Sequence, residues 1–247
     1  MREKNLSCML AIILLLLCIH TSAIADSGKP KSIEFRGIPW YESLANVREK
    51  LATMDGFIPS QFFPMSEHVR IESWDGYYYK DSELFVKDGG VSLHFSEAPI
   101  AGYLNSLSLY FLYPINGEQI NSHPDDAQLC KATYKFSEDI DNLEAVYFDL
   151  QTKLKNLYGD GQEELDDSNS FTGINVYTAT LWTAEDGSLV YLIMSRNSLS
   201  GKACQVRLVY AAGDINEKIT TIKRMIDKGV VPEDHTIIVD PENHEGL

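Results

Sequence analysis

The chain has 247 residues, a formal net charge of −15, and a composition that is 44% hydrophobic and 23% charged. A surface this acidic repels nucleic-acid phosphates and anionic lipid, so nucleic acid is excluded as a partner class, while the apolar share suffices for a sizeable core. Beyond the N-terminal segment, no run is long and apolar enough for the roughly 20 residues of a spanning helix, so no stable membrane insertion is expected.

Residues 1–25 have the form of a cleavable secretory signal peptide. Arg2 and Lys4 make a short positive start, Met9 to Ile19 is nearly unbroken apolar sequence, and Ala23-Ile24-Ala25 sets small residues at the positions a signal peptidase reads. The competing lipoprotein reading at Cys18 wants a small residue directly before the cysteine, and Leu17 is large. Cleavage after Ala25 leaves about 220 residues, enough for one large domain or two small ones, at a net charge near −16. The protein is therefore expected to be secreted, periplasmic or otherwise extracytoplasmic.

In the remaining chain Ile33 to Phe35 reads as a short strand, and Leu44, Val47, Leu51 and Met54 recur at helical spacing before Gly56. Leu84-Phe85-Val86 and Val91 to Phe95 flank Asp88-Gly89-Gly90, a hairpin signal, and Tyr103 to Tyr113 reads as a strand. The order then recurs. Thr133 to Phe136 precedes a helical stripe of Leu143, Val146, Leu150, Leu154 and Leu157 that stops at Gly159, with Asp139 and Asp141 placed to cap it. Ala179 to Trp182 and Leu189 to Met194 flank Asp186-Gly187, and Ala203 to Ala211 closes the unit, its Arg207-Leu208-Val209-Tyr210 in step with Leu107-Ser108-Leu109-Tyr110. A third helix follows, with Ile215, Ile219, Ile222 and Ile226 as its stripe, Asp214 and Glu217 as a variant capping box, and Gly229 as its stop. The fold expected is α+β: two repeated units of helix plus antiparallel sheet, 26–121 and 122–213, then a helix and acidic tail over 214–247.

Two cysteines, Cys130 and Cys204, remain after signal removal, and an exported chain can close them into one disulfide or keep two buried free thiols. His68, His94, His123, His235 and His244 have no helical metal-pair spacing, so no metal or other cofactor is called for. No serine lies in a nucleophile elbow, and Ser200-Gly201-Lys202 reads as a loop. The acidic run from Asp160 to Asp167 lacks the register of a calcium loop. Paired carboxylates for polymer hydrolysis depend on spatial geometry that sequence does not carry. The aromatic turn Trp74-Asp75-Gly76-Tyr77-Tyr78-Tyr79 places rings on both faces of a strand, the composition of a protein or sugar contact surface.

The stretch Gly37-Ile38-Pro39-Trp40, with Ser43 opening a helix that buries Leu44, Val47 and Leu51, resembles the opening of small exported α/β modules. Such modules occur in tandem in β-lactamase inhibitor proteins and singly in small lipoproteins of outer-membrane assembly, and their pattern usually carries glycine where this chain has Tyr41. The resemblance implies a protein-binding module with an envelope or extracellular protein as partner, Trp40 joining the aromatic turn as a candidate contact residue. An exported non-catalytic binding or inhibitor-like module is the leading expectation, and a secreted hydrolase acting on wall or dietary polymer is the alternative.

Overall fold

The computed structural model describes residues 29–54, 63–65, 68–72, 83–87, 89–121, 123–136, 142–166, 176–197 and 200–230. These form a mixed α+β structure: three helices and a large antiparallel sheet, α1 (Leu44–Ala52), α2 (Leu143–Tyr158) and α3 (Ile215–Asp227). The sheet strands are β1 (Phe63–Met65), β4 (Gly90–Ile100), β5 (Tyr103–Leu112), β8 (Gln128–Phe136), β9 (Gln162–Asp166), β10 (Val176–Thr183), β11 (Leu189–Arg196) and β12 (Ala203–Ala211). Two small hairpins, β2 (His68–Glu72) with β3 (Glu83–Lys87) and β6 (Ile115–Asn116) with β7 (Gln119–Ile120), are not hydrogen-bonded into it, although β2 lies against β4 and β5 and β3 lies against α3.

The spatial order is β1-β4-β5-β8-β12-β11-β10-β9, every neighbouring pair antiparallel. Thus β8 and β12 meet at the centre, and each leads outward to a meander. Helix α1 packs against β8, and α2 packs against β12 and β11.

Alternation along the strands decides which side the helices cover. Leu93 and Phe95, Leu107, Leu109 and Phe111, Ala132, Tyr134 and Phe136, Val206 and Leu208, and Val190, Leu192 and Met194 all point to one side. They join Val47 and Leu51 of α1 and Val146, Tyr147, Leu150 and Leu154 of α2 in one continuous core. Polar contacts fix the helices over it. Ser43 caps α1 through the Asn46 amide at 3.3 Å, and the backbone of residues 41–44 bonds to Ala127 and Leu129 at the entry to β8. On α2, Tyr147 and Gln151 meet Thr180 at 3.0 and 2.9 Å, Asp149 accepts from Tyr103 at 3.0 Å, and Arg196 holds Glu144 at 2.6 Å.

Helix α3 closes one end of the sheet. Ile215, Ile219 and Ile222 pack on Leu112, Cys130 and Ala212, with Tyr110 alongside. The turn into α3 fits closely against the β10–β11 turn: a Cβ on Gly213 would lie 2.5 Å from the Asp186 carbonyl oxygen and 2.5 Å from the Gly187 carbonyl carbon. Only glycine at 213 permits that approach.

Several expectations are corrected. Strand β3 pairs with β2, while β4 pairs with β1 and β5, so the Asp88-Gly89-Gly90 hairpin is not made. Gly89 and Gly90 instead begin the β4–β5 ladder, where the Tyr113 amide bonds to the Gly89 carbonyl at 3.0 Å. Ile33 to Phe35 joins no sheet; Phe35 bridges to Ile38 around the left-handed pair Arg36-Gly37. Leu157 is 71% exposed rather than part of the α2 stripe, and in the last turn it is Tyr158 that packs, partly buried, against the core. Asn142, not an aspartate, caps α2, accepting from the Ala145 amide at 3.0 Å. Asp214 makes no cap bond; its carboxylate takes the Tyr41 hydroxyl and Lys218. The signal segment, Gly56, the Asp139 and Asp141 positions and the acidic tail lie outside the described residues.

Candidate functional site

The other side of the sheet, here the outer face, can be followed strand by strand from the register. One row across it is His94, Ser108, Thr133, Val209, Tyr191 and Leu181. The next, two residues along each strand and about 7 Å away, is Ser106, Lys135, Arg207, Ile193 and Ala179. On the opposite flank of the first row lie Ser92, Tyr110, Lys131, Ala211 and Leu189.

This face divides in two. Over β10, β11 and β12 it carries a small apolar cluster of Ala179, Tyr191, Ile193 and Val209, flanked by Tyr177, Leu181 and Leu189. Over β4, β5 and β8 it is polar, and His94 Nδ1 meets Ser108 Oγ at 3.2 Å. Many of these side chains are half-buried, Lys135 is exposed, and Leu104, at the end of β5, is 66% exposed.

Charge is distributed unevenly. None of the 36 acidic residues lies in β5, β8, β10, β11 or β12, yet those strands hold Lys131, Lys135, Arg196 and Arg207. Lys131 is buried, with Nζ 5.2 Å from the Tyr110 ring centroid, a geometry that gains from the ring's negative face. Lys135 and Arg207 are direct partners across the β8–β12 junction, so two cations face each other where the sheet halves meet. Sequence reading overlooked this pair. The signal that would have found it is the absence of Asp and Glu from five apolar segments of an acidic chain.

At the α3 end, a bulge between Tyr110 and Phe111 makes Cys130 the extra residue of β8 and turns its thiol under α3, where Sγ donates to the Tyr110 carbonyl at 3.2 Å. Burial pushes this thiol up to about 12. Tyr41 sits above, with Lys218 Nζ 3.4 Å from its ring centroid and its hydroxyl donating to Asp214. Burial, then that bond, holds the phenol well above its ordinary range. Its φ is 66°, a conformation glycine adopts freely and tyrosine holds only when its side chain is anchored, as here.

Of the residues singled out from sequence, Trp74, Tyr77, Tyr78 and Tyr79 lie outside the described residues. Trp40 is half-buried; its indole N–H donates to the Ile33 carbonyl at 2.6 Å, and its ring packs against both the main core and the α3 cluster. That is a joint between packing layers. Cys130 and Cys204 are not disulfide-bonded. The Ala212 amide bonds to the Cys130 carbonyl, and Cys204 lies eight residues back along the same strand, about 26 Å. A disulfide needs Cα atoms within about 7 Å, so the bond is not made. Cys130 is buried and Cys204 half-buried, with its thiol on the Ser195 carbonyl at 3.4 Å. Among the described residues, no three His, Cys, Asp or Glu side chains gather as a metal site.

No protein-family model matches the chain, and neither a curated protein nor a solved structure matches it significantly.

Proposed function

We propose that the protein is an exported, non-catalytic binding or inhibitor-like module, and that the outer face of its sheet is the contact surface. The observation that carries this reading is the character of that face. Serine, threonine, lysine, arginine and tyrosine side chains stand partly open on rigid strands whose opposite side is packed in a continuous core. Polar and aromatic groups on a fixed scaffold suit partner recognition, because little side-chain and no backbone order has to be gained on binding.

The architecture is read as a duplication. Each unit is a helix followed by a four-stranded meander, α1 with β1-β4-β5-β8 and α2 with β9-β10-β11-β12. The palindromic strand order and the packing of each helix on the last strand of its own unit support this phasing. It ends the first unit after β8, beyond the boundary at 121. Joined by their closing strands, the units give one sheet with one long outer face, which neither half would offer alone.

Site-specific photo-crosslinking in the source organism tests the reading. A photoreactive residue at Ser108 on the outer face should give a discrete protein adduct outside the cytoplasm, while one at exposed Asn156 on α2 should not. Equal labelling from both positions, or none from Ser108, would remove the outer face as the contact surface.

A further inference from the structure

The far end of the β4–β5 hairpin projects beyond the sheet. Strand β1 pairs with β4 only at residues 92–94, and β8 pairs with β5 only as far as Ser106. Among the described residues, those at 98–105 therefore pair only with one another: Ala98 with Asn105, Pro99 with Leu104, and Ile100 with Tyr103. A bulge sets this ribbon off at its root, since between Phe95 and Ala98 strand β4 carries one residue more than β5.

We infer that residues 98–105 form a lid that swings about this bulge and uncovers the Phe136 end of the core while the rest of the sheet stays folded. A two-stranded ribbon is marginally stable by itself, so the contacts beneath it decide how firmly it closes. Its polar latches are single side chains: Arg36 donates to the Pro99 carbonyl, Lys153 Nζ donates to the Ala101 carbonyl at 3.0 Å, and Asp149 accepts from the Tyr103 hydroxyl at 3.0 Å. The Tyr103 ring meets Phe136 edge-on, and Tyr103 and Ile100 are only partly buried against the core. All of these contacts can part without breaking a ladder between the ribbon and a third strand.

Asn105 tilts the balance toward opening. With the lid closed its amide is buried, and neither amide atom has a hydrogen-bond partner. Closure therefore leaves a donor and an acceptor unsatisfied, and water satisfies both once the lid lifts. That is the differential interaction a two-state element requires. Exposed Leu104, between the inward-facing Tyr103 and Asn105, rides on the outer side of the lid. The lid's position thus sets one end of the proposed contact face; this consequence rests on the reading above, whereas the opening itself does not.

Native-state hydrogen exchange of the full mature chain, resolved by peptide mass spectrometry, reads the opening with no partner present. Protection at residues 98–105 should be lower than in β8 and β12 by about 100-fold or more. Low urea should speed exchange in β8 and β12 and leave the lid within about twofold, because lifting the lid exposes little surface. Tyr103→Phe, which removes the hydroxyl and keeps the ring, should speed lid exchange about threefold or more. Asn105→Leu should slow it about fivefold or more.

Lid amides that exchange in step with β8 and β12 at every urea concentration would mean that the ribbon opens only with the whole fold, and would overturn the lid. Unchanged lid exchange in Tyr103→Phe would overturn the Asp149 latch, and no slowing in Asn105→Leu would overturn the part given to the amide. If the lid opens while Ser108 yields no adduct, the lid stands and the contact face falls. If Ser108 crosslinks to a protein while the ribbon opens only with the whole fold, the face stands and the lid falls.

Discussion

On the side of the sheet beneath α1 and α2, Phe95, Leu107, Tyr134, Phe136, Val206 and Leu192 merge into a single core that runs across the β8–β12 junction. On the other side the same strands show His94, Ser108, Thr133, Lys135 and Arg207, with apolar residues confined to one cluster over β10–β12 and another under α3. The backbone ladder is shared, so only side-chain chemistry separates the faces. The continuous apolar core lies on the first face, while the second carries charged and polar side chains, of which Lys131 is buried over the Tyr110 ring.

Truncating the covered side should have the largest effect. Phe136 is fully buried and meets Tyr103 edge-on, with ring centroids 6.0 Å apart. Phe136→Ala is expected to cost about 3–5 kcal/mol in urea unfolding. A loss below about 1 kcal/mol would mean that this core is not the continuous unit described.

One residue on the covered side belongs by chemistry to the other. Asn105 is 6% exposed, and neither atom of its amide has a hydrogen-bond partner. Leaving a buried polar group unpaired costs about 1–3 kcal/mol, so Asn105→Leu, close in volume, should raise stability by about 1–2 kcal/mol. Unfolding midpoints measure this directly. A loss of stability would show that the amide is satisfied by ordered water.

The contrast between faces also explains which elements were legible in the sequence. The helices were, because Leu143, Val146, Leu150 and Leu154, or Ile215, Ile219 and Ile222, face a sheet and obey a simple period. So was β12, recovered from Ala203 to Ala211. Strand β8 was not: only Thr133 to Phe136 was recognised, since the bulge at Cys130 and the buried Lys131 interrupt alternation. Missing β8 hid the centre of the sheet, and with it the Lys135–Arg207 pair, which exists only through the pairing of strands about 70 residues apart. The Asp88-Gly89-Gly90 turn misled for a related reason. Turn chemistry is local, whereas β4 found its partner in β5 across the Ala101-Gly102 turn.

Alkaline pH offers a third test, this time at the α3 end. The Cys130 thiol titrates near 12 in the fold and near 9 when exposed. A raised folded value means that its contribution is intact below about pH 9 and is lost as pH rises toward 12. At about pH 10 the wild type should therefore have lost about 1 kcal/mol relative to Cys130→Ala, narrowing the gap seen at neutral pH. Burial also raises the Tyr134 and Tyr210 phenols, and these act in the same direction in both proteins. The Tyr41 phenol, raised by burial and the Asp214 bond first, is also raised by Cys130, so the difference between the two pH profiles reads the thiol together with its coupling to Tyr41. Parallel profiles would mean that water reaches Cys130.

The smallest effect is the most informative about function. Lys135 is exposed and stands directly opposite Arg207, so it sets like charge beside that arginine and adds little burial. Lys135→Thr replaces it with a good strand former and removes the like-charge pair. The variant should be more stable by up to about 0.5 kcal/mol, with the gain larger at low salt, where screening is weakest. Equilibrium unfolding at two ionic strengths reads it. If stability falls instead, the lysine is held by the fold, and its position opposite Arg207 is structural. If stability rises, the lysine is retained against folding, as expected of a residue kept for a role other than stability.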